Sequence, residues 1–296
     1  DLSELNVYVL SMSLAADNVN NLKSLCDTYN RKLTIIPIDD YIKKIGFQFN
    51  TTGFNPIVLA RLFLAEYLPS YIDRVLYLDA DVVVNDNISA VEGIDISNSY
   101  IAAVPELYMP GQNKKIIGFT SKDTYYNAGV LYINLQMWRE HNLKESFLIY
   151  YKMMSGKLPY NDQDIINYCC KDYVVTLPQE YNMSPNLPFF PRWFMKWLQP
   201  SYFYEKDLYS QMIIKPKIIH YLGDERPWIK GNHNYYKDIY EKYKAISLWK
   251  DSPLIGGRER YMFCYHLLNM ITKVFPHGRL LFSKFIGINI YKWKKK

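Results

Sequence analysis

The chain has 296 residues, 49% of them hydrophobic, enough to bury a core as one large domain or a domain with an appendage. Its formal charge of +6 is unevenly placed: Arg260 to Lys296 holds 8 Lys or Arg and no acid, leaving 27 basic against 29 acidic residues elsewhere. Basic residues confined to one end, with no binding motif beside them, argue against nucleic acid, and the apolar runs are too short to span a bilayer. The four cysteines (Cys26, Cys169, Cys170, Cys264) lack CxxC spacing, so a zinc site or disulfide framework is not expected and a reducing cytoplasm is. No signal peptide, internal repeat or low-complexity tract stands out.

In chain order, strand-like and helix-like segments alternate, the pattern of an α/β fold with a mostly parallel sheet. LNVYVLS (5–11) reads as a strand, NVNNLKSLCDTYN (18–30) as a helix and KLTIIPID (32–39) as the next strand. NPIVLARLFLAEYLP (55–69) reads as a helix closed by Pro69. RVLYLDADVVVND (74–86) then reads as a single strand buried on both faces. Strands are expected at 99–106 and 129–135, helices at 136–156 and 162–170, and a strand at 172–177. From Tyr181 to Tyr204 four prolines and nine aromatic residues suggest a functional wall. KPKIIHYLGDERPW (215–228) is a strand running into a glycine turn, and 234–250 reads as helical.

Asp79 and Asp81 interrupt an apolar run. With a side-chain period of two they would project to the same side of a strand, and two like charges in a poorly solvated place need a cation or a proton between them. A metal is one reading; two aspartates capping a strand-end turn is the other. His220 alone is as readily a half-buried structural histidine as a ligand. Arg61, in the apolar VLARLFLA, demands an anionic partner. Asn127 in YYNAG reads as a turn residue, and NDQDII as helix-start chemistry with Asn161 as N-cap and Asp164 three residues on.

The order of ARLFLAEYLP, RVLYLDADVVV, YYNAGVLYINLQMW, NDQDIIN and IIHYLGDERPW resembles glycosyltransferase family 8, the retaining enzymes that move galactose or glucose from a UDP-sugar onto a glycan. The resemblance runs to about Lys230. It implies a GT-A type nucleotide-sugar-binding fold, a Rossmann-like mixed sheet flanked by helices. It also implies a site with Asp79, Asp81 and His220 as metal ligands. One imidazole and two carboxylates favour Mn²⁺, with Mg²⁺ as the alternative. Arg61, Asn127 and Asp79 would meet the donor sugar, Asp162 would hold its hydroxyls, and Gln163 would lie beneath the anomeric carbon. Gly223 would let backbone approach the diphosphate, and Arg226 stands where the family usually has lysine. Because an amide is a very poor nucleophile, front-side substitution with the leaving phosphate as base is expected, with Asp162 as transient nucleophile the lesser alternative.

The resulting expectation is a hexosyltransferase catalytic domain (1–255) with a basic amphipathic tail (256–296) that attaches to an anionic membrane surface, on the cytoplasmic inner face of the cell membrane, a C-terminal helix packed on the domain with a frayed lysine end being the alternative. Its acceptor would be a sugar of a lipid-linked or surface glycan, contacted by 181–204 and near Glu106. DLSELNVYVL matches the family's second strand, so the resemblance implies that a first βα unit of roughly 25–30 residues is missing. The rival readings are a metal-dependent phosphohydrolase and a non-catalytic, membrane-peripheral glycan-binding module.

Overall fold

The computed structural model describes residues 4–38, 56–155, 157–198 and 204–282. It divides into two compact units, Asp1–Ala80 with Asp86–Asn182, and Asp81–Asn85 with Met183–Lys296.

In the first unit β1 (Asn6–Ser11) and β2 (Lys32–Pro37) pair in parallel across α1 (Ala16–Thr28). A second sheet has the order β3 (Arg74–Leu78), β6 (Tyr126–Asn134), β5 (Ile101–Pro105) and β7 (Val174–Thr176). Only β5–β7 is parallel there, and β3–β6 and β5–β6 are antiparallel, so the sheet is mixed rather than mostly parallel. The strands buried on both faces are β5 and β6; β3 is half-buried. The core gathers Leu59, Leu62 and Phe63 with Ile101, Leu131, Ile133, Trp138, Phe147 and Ile165, and Tyr8, Leu10 and Ile36 pack against it.

The helix expected at 55–69 is a 3-10 helix over Pro56–Phe63 followed by one α-turn, α2 (Leu64–Tyr67). The run from 136 to 156 is likewise two helices, α4 (Leu135–Glu140) and α5 (Leu143–Met153), after α3 (Gly111–Ile116). Asn142 breaks it with a left-handed φ of 49°, a conformation asparagine tolerates better than most residues. α6 (Asp162–Cys170) matches the expectation.

The largest departure concerns the aspartates. RVLYLDADVVV is not one strand: β3 ends at Leu78, Ala80 and Asp81 form a turn, and β4 (Val82–Val84) begins a separate pairing in the second unit. There β4 runs antiparallel to β8 (Ile218–His220) with Val82 opposite His220, and Met183 bridges Ile219. The hydrophobic pattern reads across the break because both halves are apolar. The second unit adds α7 (Arg192–Leu198), α8 (Lys206–Ile214), α9 (Lys237–Ile246), α10 (Glu259–Val274) and α11 (Pro276–Phe282). Much of the aromatic segment 181–204 is therefore ordered as a 3-10 turn at Gln179–Asn182 and α7, while 199–203 lie outside the described residues, as do 283–296 of the basic tail.

One cation fixes the entry to β3. The Arg139 guanidinium donates to the carbonyls of Ile72 (2.8 Å), Ala65 (3.2 Å), Pro69 (3.2 Å), Leu68 (3.3 Å) and Ser70 (3.3 Å). These include carbonyls that the end of α2 leaves without intrahelical donors. Arg139→Ala is expected to lower the unfolding free energy by roughly 2–3 kcal/mol, and Arg139→Lys to recover part of it, because an ammonium cannot spread five donors in a plane. Urea denaturation of the three proteins checks this.

Candidate active site

In the first unit the site is organised by Arg61, whose side chain is only 8% exposed. Its guanidinium meets Asp79 Oδ1 at 2.8 Å and Asp162 Oδ2 at 2.9 Å, donates to the Ala128 carbonyl, and lies 4.8 Å from the centroid of the Tyr77 ring. Three elements distant in sequence, the end of β3, the start of β6 and the start of α6, thus share one cation. Burial raises the pKa of Asp162 to about 6 against the opposing pull of Arg61. Tyr77 donates to Asp79 Oδ1 at 2.7 Å, and burial holds its phenol protonated far above its ordinary range. Its partnership was legible in principle: Tyr-Leu-Asp at the end of a strand places Tyr77 and Asp79 on one side.

Helix-start chemistry in NDQDII falls to Asp164, which leaves its neighbours for other work. Asn161 makes no side-chain cap; its φ of 48° turns the chain into α6. Asp164, fully buried at the third helical position, accepts from the Tyr160 backbone N–H at 2.6 Å and the Tyr125 hydroxyl at 2.7 Å. With the turn so held, Asp162 faces Arg61 and Gln163 faces β6, where its Oε1 accepts from the Ala128 N–H at 3.0 Å. Gln163 Nε2 and Asn127 Nδ2 both donate to Glu106 Oε2, at 3.4 and 2.7 Å. Asn127 Oδ1 accepts from the Gly129 N–H (2.9 Å) and Asn182 Nδ2 (2.8 Å), so Asn127, within β6, is a fixed network residue and not a turn residue. Asn182 was not anticipated; it lies in the aromatic segment, and nothing in its local sequence points toward β6.

In the second unit His220 Nε2 lies 3.1 Å from Asp81 Oδ1, and the Tyr221 N–H donates to the Asp81 carbonyl at 2.9 Å. Arg226 reaches Asp81 Oδ2 at 3.6 Å, donates through Nε to the Gly223 carbonyl at 3.1 Å, and rests on Trp228. Burial works against ionisation of Asp81, but the His220 hydrogen bond and the charges of His220 and Arg226 draw its pKa below the usual carboxylate range. Gly223 has φ +85°, where a side chain would strain the backbone. Asp79 is joined to the Asp81–His220 pair by the chain itself, with Ala80 the single residue between. Among the described residues Asp79, Asp81 and His220 are a group whose ligand atoms, all within 4.8 Å of one another, could hold a metal ion. Two hard oxygens and one imidazole suit a divalent cation.

This arrangement has known relatives. The sequence profile described as glycosyl transferase family 8 matches residues 2–231. The chain belongs to glycosyltransferase family 8. A lipopolysaccharide 1,2-glucosyltransferase of Escherichia coli K12 is 31% identical over 294 residues, 90% of this chain and 82% of its own length. A Haemophilus influenzae protein described as a glycosyltransferase is 29% identical over 185 residues, 62% of this chain and 55% of its length, so the chain spans about half of that relative. Among solved structures, the galactosyltransferase LgtC in complex with donor and acceptor sugar analogues superposes with a TM-score of 0.67 at 25% identity, over 81% of this chain and 84% of that one. The fold of this family 8 glycosyltransferase is of the GT-A type, a mixed sheet flanked by helices.

Asp164 provides a check on how α6 begins. Burial raises its pKa from 3.8 to about 6, although both hydrogen bonds lower it. The folded chain then binds this proton more tightly than the unfolded chain, so the Asp164 contribution to stability is present below about pH 4 and lost as pH rises through about 6. Relative to Asp164→Asn, which cannot titrate, the parent enzyme is expected to lose roughly 2.5 kcal/mol between pH 4 and pH 7. Denaturation at several pH values tests this, and parallel curves for the two proteins would refute it.

Proposed function

We propose that this glycosyltransferase transfers galactose or glucose from a UDP-sugar to a sugar of a lipid-linked or cell-surface glycan, with retention of configuration. The observation that carries the reading is the Arg61 bridge, which ties Asp79 to Asp162 and to the backbone beside Asn127 and Gln163. One guanidinium thereby fixes carboxylates that the reaction needs in two roles, cation binding and hydroxyl binding. Asp79, Asp81 and His220 would hold Mn²⁺ or Mg²⁺. When bound, that cation offsets the charge that grows on the departing UDP.

The chain's own residues do the rest. Asp162, held by Arg61, accepts from the donor sugar's hydroxyls, and Asn127 and Glu106 stand on the same network for further hydroxyls. Gly223 presents close backbone to the diphosphate, and Arg226 adds a guanidinium beside Asp81. Gln163 is a neutral amide committed to the Ala128 N–H and to Glu106, and such a group orients rather than attacks. Front-side substitution follows: the incoming hydroxyl bonds to the anomeric carbon on the face from which UDP departs and gives its proton to the departing phosphate oxygen.

The tail reading belongs here too. Among the described residues no helix is long and apolar enough to cross a membrane. Yet α10 and the residue after it leave Phe263, Met270, Ile271, Val274 and Phe275 exposed, Val274 by 87%. Apolar side chains on a segment with an excess of cations suit an anionic lipid surface, and a cytoplasmic enzyme lying on the inner face of the cell membrane would meet lipid-linked acceptors there.

Two experiments test these readings. Asp79→Asn and Asp81→Asn are each expected to lower Mn²⁺-dependent release of UDP by roughly 100-fold or more while calorimetry shows weakened Mn²⁺ binding. Full turnover in either variant would remove the metal role, and phosphate-ester hydrolysis without sugar transfer would favour the hydrolase reading. For the tail, Phe263→Asp with Val274→Asp is expected to reduce co-sedimentation with phosphatidylglycerol vesicles by about tenfold or more. Unchanged co-sedimentation would mean these side chains do not enter the lipid surface.

A further inference from the structure

The loop Gly223-Asp224-Glu225-Arg226 carries two residues assigned above to the donor diphosphate, and the two acids between them are held by groups elsewhere in the second unit. The Tyr261 hydroxyl donates to Asp224 Oδ2 at 2.9 Å, and Arg258 approaches Asp224 Oδ1 at 3.6 Å. Glu225 is 8% exposed, and both its oxygens are engaged: Oε1 with His266 Nε2 at 2.5 Å, Oε2 with the His233 backbone N–H at 2.6 Å. The His266 ring is sandwiched against that of His233, centroids 3.7 Å apart and 6° from parallel, so it has little freedom to leave Glu225. Asn234 donates its amide to the Glu225 carbonyl. Three of these groups, Arg258, Tyr261 and His266, come from the first half of α10 and the residue before it, in the segment expected to be a membrane tail.

The geometry points to a second role for that helix: Tyr261 and His266 are positioning residues that hold the donor-phosphate loop in its binding conformation through Asp224 and Glu225. The loop needs such a hold. Gly223 at φ +85° is flexible when unrestrained, and Arg226, whose side chain is 41% exposed, is only as well placed as the backbone that carries it. Fixing the loop beforehand removes an ordering cost that donor binding would otherwise carry, so the effect falls on donor affinity rather than on the chemical step. This inference rests on the reading of residues 223–226 as a donor-phosphate loop.

Steady-state kinetics of the full chain with a UDP-hexose, Mn²⁺ and a soluble sugar acceptor tests it in His266→Ala, His266→Gln and Tyr261→Phe, with melting curves alongside. His266→Ala and Tyr261→Phe are expected to raise the donor KM by about 5- to 10-fold, with kcat and acceptor KM within about twofold of the parent. His266→Gln, whose amide can still donate to Glu225, should restore most of the donor KM. An unchanged donor KM in both His266→Ala and Tyr261→Phe overturns the inference and leaves the proposed function standing. So does a uniform loss of kcat and both KM values that follows a lower melting temperature and is not rescued by glutamine. If the parent chain turns over no nucleotide sugar, the proposed function falls and this inference falls with it.

Discussion

A single buried guanidinium sets the constraint on which the first unit depends. Arg61 lies in an apolar neighbourhood, between Leu59 and Leu62, and an unpaired charge there would be untenable. Asp79, Asp162 and the Ala128 carbonyl satisfy it, and each stands at an element boundary: the end of β3, the start of α6 and the start of β6. Removing one partner would strand the others, at a cost of about 3–5 kcal/mol for a broken buried pair. The fold is therefore obliged to keep these three ends together. Asp79, just past the last residue of β3, is also tied to β6 by its own N–H, which donates to the Gly129 carbonyl at 2.8 Å.

The same ion cluster is unbalanced by design of its composition: two carboxylates surround one cation, and Tyr77, kept protonated by burial, lends a hydrogen bond but no charge. Asp79 thus carries charge that Arg61 does not cancel by itself, and it is also one of the three residues that could hold a metal ion.

How much of this was legible follows from how local each signal is. α6 was found because its pattern is local, and the order of motifs singled out Asp79, Asp81 and His220, a group that could hold a metal ion. The break between β3 and β4 was hidden because Ala80 is no turn signal and both flanks are rich in valine; only the pairing partners, β6 for one half and β8 for the other, reveal it. The roles within NDQDII needed three dimensions as well. Asp162 and Asp164 are alike on paper, and what separates them is that Tyr125 and Tyr160 claim one while Arg61 claims the other. α8, in KDLYSQMII, went unread because the preceding proline- and aromatic-rich stretch masks any period. The acids at 224 and 225 stood inside a stretch read as a phosphate motif, whereas their side-chain partners Arg258, Tyr261 and His266 lie far along the chain, in a segment whose charge suggested a different purpose.

Those two acids also show how neighbouring like charges are accommodated in one loop. Asp224 and Glu225 are adjacent between Gly223 and Arg226, and left unpaired they would repel one another by an amount that grows as water is excluded. Arg258 and Tyr261 take up Asp224, and His266 with the His233 backbone takes up Glu225. Replacing both acids with neutral residues would be the simpler solution to repulsion, but it would also release the loop from α10. Keeping the charges and giving each its own partners turns a local repulsion into the loop's anchor.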